Sequence, residues 1–367
     1  MRAGRLAFRL LLLTAVGCRG AARPDAIGIE VGSDGLAAAR LAVADVNASG
    51  GFDGDSLVLR VGATEAGPIR LADRMAGDSA VVAVVGHSSS EASLAASQVY
   101  NARHLPHIAP TTTAPLFSAA GPYSFRLVPD DRRQAAFLAE QVARAGSRRV
   151  ALVYVNDDYG RVLRAELRAH LDRRATPVVY EAPYLERSDT RHLGSVARAV
   201  AAARPDLLVW LGRSSQLGVV LDTLRPRLPT LPVLGSDGLD LGGLYERPDR
   251  YANVRFVRFV DPAGAGAALR SFRARFIAAT GHEPPAEATL TNDATLLLAT
   301  AMREGARTRD AMRAYLAAVG TRRPAYQGVS GPIAFDQAGD VTRAHLLAEV
   351  QPGGVRAVPV AATAAAP

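Results

Sequence analysis

The chain contains no lysine. Its 367 residues include 43 basic side chains, and all of them are arginine. This excludes two chemistries, because neither a P-loop lysine on a nucleotide's phosphates nor a Schiff-base lysine can be built. Cysteine occurs once, at Cys18, so no internal disulfide can form. Stability must come from an apolar core, which a chain of this length can bury. The net charge is +8, yet the arginines are interleaved with 35 acidic residues and not clustered with aromatics. That pattern describes solvated faces, and nucleic acid is not expected as a partner. Beyond the N-terminus no apolar run reaches membrane-spanning length.

The N-terminus reads as a targeting segment. Arg2, Arg5 and Arg9 form a basic region, Leu10 to Val16 a short apolar one, and "AVGC" follows. Residues 1–17 are expected to be a signal peptide, exported and cleaved. "AVGC" resembles a bacterial lipobox, with Ala15 where leucine is preferred. The resemblance implies lipidation of Cys18, a linker over residues 18–25, and a mature protein held on a membrane surface outside the cytoplasm. A plain secretory signal with an incidental cysteine is the alternative.

From Ala26 onward, apolar strand patterns alternate with helical ones. "AIGIEVG", "LVLRVGAT", "AVVAVVG" and "PHIAPTTT" are strands, each but the last followed by a helix. "RRVALVYVNDDYG" restarts the cycle, and "PVVYEAPY", "DLLVWLG" and "LPVLGSDG" continue it. Such alternation predicts parallel sheets with helices on both faces, and two series predict two doubly wound lobes. The break falls near Pro129, where Asp131 with Gln134 fits a helix-capping pair. A second crossing is expected near Asp261–Ala267. Residues 361–367, "AATAAAP", have nothing to bury and are expected to be disordered.

Several motifs could carry chemistry. "VVAVVGHSSSEAS" places Gly86-His87-Ser88 at a strand–turn–helix junction, as in a hydrolase nucleophile elbow. Ser90 stands where that elbow requires its second glycine, and neither His282 nor His345 has a recognisable triad context. His104 and His107 are three apart, but Pro106 breaks the helix that would aim both at a metal, so no metal site is expected. "AGAGAAL" lacks a third glycine and does not follow the first strand, which argues against a dinucleotide site. The serine-rich turn instead offers free backbone N–H groups and hydroxyls suited to a carboxylate. "PTTTAP" follows the next strand and opens on the same crevice. No cofactor is expected.

"ADVNASGGFDG", "VVAVVGHSSSEASLAASQVYNARHLPHIAPTTTAP", "YSFRLVPDDRRQAAFLAEQV", "RRVALVYVNDDYG", "GSDG" and "GPIAFDQAGDV" occur in that order. Together they resemble the leucine/isoleucine/valine-binding family of type I periplasmic binding proteins, over roughly residues 26–350. The resemblance implies an α/β fold of two doubly wound parallel-sheet lobes joined by a multi-strand hinge. One lobe would comprise residues 26–130 and 262–344, the other 131–261 and 345–360. It implies a monomeric, non-enzymatic receptor that captures an amino acid, branched-chain-type or a related amide, by lobe closure and delivers it to an ABC permease. Ser90 would bind the ligand α-carboxylate, Thr112 would lend a backbone N–H, and Thr113 would touch both ends. Tyr159 would close over the ligand and Asp237 would pair with the α-ammonium. Asp131 matches an acid at the lobe crossing. Two departures concern the side-chain end of the pocket. The loop "GSDGLAA" is short, and Arg213, Ser214 and Ser215 stand where an aromatic contact is common. A small-molecule sensor on the same fold, or a serine hydrolase using Ser88, are the alternatives.

Overall fold

A computed structural model of the chain describes residues 25–52, 55–62, 67–261, 266–352 and 354–359. Residues 1–17, read above as a signal peptide, Cys18 and residues 361–367 lie outside the described residues.

The first sheet comprises β1 (Ala26–Glu30), β2 (Val58–Val61), β3 (Val81–Gly86), β4 (His107–Ala109) and β5 (Ser124–Arg126), in the order β2-β1-β3-β4-β5. Every pairing is parallel. Strands covered on both faces read as continuous apolar runs, and all six residues of "VVAVVG" in β3 are buried. The crossovers are helices α1 (Ser33–Ala48), α2 (Pro68–Gly77) and α3 (Ser90–Ala102). α1 stops where its sequence turns to Asn, Ser and Gly. Gly50 and Gly51 take φ of 97° and 59°, a region open to glycine without steric cost. The Asn47 amide grips both backbone groups of Leu57, at 3.0 and 2.8 Å, and so sets the entry to β2.

After α4 (Asp131–Arg144) a second sheet begins. Its strands are β6 (Val150–Val155), β7 (Val178–Tyr184), β8 (Leu207–Leu211), β9 (Val233–Gly235) and β10 (Val254–Arg258). The helices between them are α5 (Asp158–Arg173), α6 (Thr190–Ala203), α7 (Ser214–Leu224) and α8 (Gly242–Glu246). The chain then returns to the first sheet with α9 (Ala267–Thr280), α10 (Ala286–Arg303) and α11 (Arg309–Leu316), where α10 lies along α1. A hairpin, β11 (Tyr326–Gly328) and β12 (Gly331–Ile333), follows. The chain crosses once more to add β13 (Leu346–Gln351) and β14 (Gly354–Val358) to the second sheet, giving the order β14-β13-β10-β9-β8-β6-β7. These last two strands are antiparallel, unlike the all-parallel lobe expected from strand–helix alternation. They enter from the other lobe without a crossover helix, so nothing forces a parallel pairing.

Three crossings therefore join the two α/β units, and half-buried side chains hold two of them together. Arg343 Nη1 donates to Phe259 O at 3.2 Å and to Ser330 O at 2.9 Å. The His345 ring packs between Phe137 and Phe259. Among the described residues no helix is long and apolar enough to cross a membrane.

Candidate ligand-binding cleft

The cleft lies beyond the C-terminal ends of the strands, where open α/β sheets place ligands. It is a cavity of about 520 Å³ with walls from both units. Ser90, Thr113, Tyr159 and Asp237 all line it.

On the first wall, β3 ends at Gly86 and the chain turns into α3. Ser89 is the N-cap, its Oγ accepting the Ala92 N–H at 3.1 Å. Ser90 is therefore the first helical residue, at the end where backbone donors lack helical acceptors and the dipole favours an anion. Its Oγ accepts the Thr113 N–H at 3.3 Å, so the two donor segments meet. The three threonines after β4 divide by pleat. Thr111 and Thr113 face the cavity. The Thr112 side chain turns inward to Ser93 Oγ at 2.6 Å, leaving only its backbone near the site.

Ser88 lines the same wall, but its Oγ donates to Glu30 Oε1 at 3.2 Å and its N–H to Oε2 at 3.1 Å. The imidazole of His87 lies on the other side of that carboxylate, with Nδ1 3.0 Å from Oε2. Burial opposes the Glu30 charge, but hydrogen bonds from His87 and Ser88 hold its pKa below the ordinary value. Ser88 thus bonds a carboxylate and not an imidazole base, which is the wrong partner for a nucleophile. The pair His104 and His107 also separates: His104 is exposed against Tyr123, while His107 is fully buried, which drives its pKa down to about 3. Among the described residues no group of three metal-ligating side chains occurs.

The second wall is built on the ends of β6 and β9. Asp157 caps α5 by accepting the Gly160 N–H at 2.8 Å, which fixes Tyr159 in the first turn. Tyr159 Oη donates to Asp237 Oδ1 at 2.6 Å and lies 2.8 Å from Ser236 Oγ. Gln134 clamps the same acid, with Nε2 2.8 Å from Oδ1 and Oε1 accepting the Asp237 N–H at 2.9 Å. Burial raises the Asp237 pKa, partly offset by Tyr159 and Gln134.

The expected capping pair at the crossing is corrected by one residue. Asp130, with the extended backbone a cap requires, accepts the Arg133 N–H at 3.0 Å. Gln134 is engaged with Asp237. Asp131 lies inside the helix, is fully buried, and leaves Oδ2 without a hydrogen-bond partner. Burial and the neighbouring Asp237 raise its pKa well above the usual carboxylate value. Its N–H donates to Thr113 O at 2.8 Å, which ties the crossing to the first wall.

Sequence reasoning did not find Thr111, Glu186, Asp240 or Glu287, all of which face the cavity. Arg213, noted only as a departure, lies with its guanidinium 5.0 Å from the Tyr159 ring centroid. Its backbone is held by Trp210 Nε1 donating to Arg213 O at 3.1 Å and by the Arg213 N–H donating to Tyr184 Oη at 2.8 Å.

The chain is similar to known proteins. An amino acid binding protein of Pseudomonas aeruginosa is 25% identical over 204 residues, 54% of each chain. BasB of Halobacterium salinarum, a substrate-binding protein of a chemotactic signal transduction system, is 29% identical over 215 residues, 56% of this chain and 51% of the relative. The chain thus spans about half the length of these curated relatives. The branched-chain amino acid transporter substrate-binding protein LivJ of Streptococcus pneumoniae, solved with isoleucine, superposes with a TM-score of 0.80 at 21% identity, over 92% of this chain and 99% of that one. The periplasmic binding protein family model matches residues 26–355. With a match of that extent on a fold of two linked α/β units flanking a cleft, the chain belongs to the periplasmic binding protein family.

Proposed function

We propose that the protein is an extracytoplasmic solute-binding receptor that captures an amino acid or related amide and delivers it to an ABC importer. The observation that carries this reading is the division of the cleft. Hydroxyl and N–H donors of Ser90 and Thr113 stand on one wall, and the Asp237 carboxylate stands on the other. A zwitterion needs both, since a charge removed from water without a partner costs several kcal/mol. The ligand carboxylate would sit at the α3 N-terminus beside Ser90, Thr113 and the Thr112 N–H, and its ammonium at Asp237. Both bonds from Tyr159 and Gln134 fall on Oδ1, which leaves Oδ2 for the ligand. Rotation about the three crossings would bring the walls together as a hinge motion. The names of the relatives and the isoleucine complex support the choice of an amino acid. Binding proceeds without turnover in this reading, because Ser88 is committed to Glu30.

Ser90→Ala is expected to weaken binding of the amino acid by about 1–3 kcal/mol, because the charge-assisted hydrogen bond is lost. An analogue lacking the carboxylate should lose little. The ligand for this comparison comes from a thermal-shift screen of amino acids, amides and small carboxylates, since a binder raises the melting temperature by mass action. Calorimetry showing equal losses for both ligands would remove the carboxylate from Ser90. No stabilisation by any compound would overturn the receptor reading.

The membrane attachment follows from Cys18, whose acyl chains would hold the monomeric mature protein at the membrane. Cys18→Ser is expected to move the expressed protein from the membrane fraction to the soluble extracytoplasmic fraction. An unchanged distribution would refute the anchor. The relation to BasB favours a second reading, in which the loaded receptor reports to a signalling partner in the membrane. Ligand uptake lost on deletion of the gene supports transport; chemotaxis lost with uptake intact supports sensing.

A further inference from the structure

The cavity holds more negative charge than one ammonium group neutralises. Of the acids lining it, Asp158 pairs with Arg161 and Asp240 with Arg258. Asp157 and Glu186 share Arg213, at 3.6 and 3.9 Å. Glu91, exposed at the rim on α3, and Asp237 and Glu287 have no ion pair among the described residues, and Asp131, fully buried behind Asp237, keeps one oxygen unpartnered. The α-ammonium of an amino acid answers Asp237 and Asp131. Among the described residues no cationic side chain pairs with Glu287.

Glu287 sits in the first turn of α10, on the wall formed by the first unit, beside Ala286, whose N–H donates to Asp240 Oδ1 at 3.2 Å. Its one hydrogen bond is from the Gly32 N–H to Oε1 at 2.8 Å. A Cβ at position 32 would stand 2.7 Å from Oε2, so the carboxyl would have to shift. Burial, with the like charges of Asp34 and Glu30 nearby, lifts the Glu287 pKa to about 7. The nearest base, His282, is engaged: Nε2 lies 3.3 Å from Asp34 and Nδ1 2.9 Å from the Glu283 carbonyl. The apolar surface is sparse. Among the lining residues only Leu241, Phe259 and Ala286 have purely hydrocarbon side chains. A branched aliphatic side chain packed here would strip water from Glu287 and give it no partner, which is unfavourable.

We infer that Glu287 is the counter-charge for a second, distal cation on the ligand, so that the receptor selects an amino acid with a basic side chain. This rests on the amino-acid reading above and names its side-chain class. Glu287 acts as a specificity residue, holding a guanidinium or ammonium against the first unit's wall of the cavity, opposite the unit that carries Asp237.

The test is calorimetry on the purified protein with arginine, lysine, glutamine and leucine. Arginine or lysine is expected to bind at least tenfold more tightly than leucine or glutamine. Glu287→Gln keeps the shape and the Gly32 hydrogen bond, and is expected to reduce that affinity tenfold or more while leucine binding is not weakened. Glu287→Leu is expected to reverse the preference toward leucine, a gain that misfolding does not produce. Leucine or glutamine binding as tightly as the basic amino acids, with Glu287→Gln indifferent, overturns the inference. If Asp237→Ala still abolishes that leucine binding, the amino-acid reading survives alone. If no amino acid binds, both fall.

Discussion

Replacing Asp237 with alanine is expected to weaken binding of the α-amino acid by about 2–5 kcal/mol, roughly thirtyfold to several thousandfold. The magnitude follows from what remains. A desolvated ammonium would face Tyr159 and Gln134, whose neutral groups supply no counter-charge. Asp131 would persist behind them, but burial raises its pKa well above the ordinary value. The same logic fixes a pH dependence. Burial raises the Asp237 pKa in the empty cleft, and an ammonium bound beside it favours the ionised form. Binding therefore releases a proton wherever the empty-site carboxyl is protonated. Affinity is expected to be greatest above that raised range and to fall as pH is lowered through it. Calorimetry on the wild type and the alanine variant checks both points. Unchanged affinity in the variant would remove Asp237 from the site.

Trp210→Ala is expected to produce the largest loss of stability, about 3–5 kcal/mol. Trp210 is fully exposed to packing on β8 and not at all to solvent, and its ring stacks on Tyr184 with centroids 4.7 Å apart. Truncation opens a cavity in the second sheet and also frees the Arg213 carbonyl that the indole holds. Arg213 would then lose part of the support that places it over Tyr159. Trp210→Phe keeps the stack and loses the hydrogen bond, so about 1–2 kcal/mol is expected. Urea denaturation followed by circular dichroism measures both, since the chain's only tryptophan fluorescence is lost with the residue. An alanine variant as stable as the wild type would contradict the packing described.

The sheets were legible because their strands are covered on both faces. "VVAVVG" and "DLLVWLG" declare themselves as unbroken apolar runs ending in glycine. β13 and β14 did not, because "LLAEVQ" and "GVRAV" mix polar and apolar residues in the last two strands of the sheet and reach it by a long crossing. Ser90, Thr113, Tyr159 and Asp237 each follow a strand end, which is why one linear reading could bring them to a single cavity. Phase within a short motif was harder. Tandem Asp130-Asp131 gives no local sign of which acid caps the helix, and the three threonines give none of which faces inward. Glu287 had no local signal at all. It bonds a glycine 255 positions away, and that contact exists only after the chain has crossed between the units and returned.

The most direct test of the account is a crystal structure of the protein with the amino acid found by the thermal-shift screen. The account predicts electron density between the two sheets, with the α-carboxylate within hydrogen-bond distance of Ser90 and Thr113 and the α-ammonium on Asp237. A ligand bound outside this cleft, or one turned so that its carboxylate meets Asp237, would contradict it.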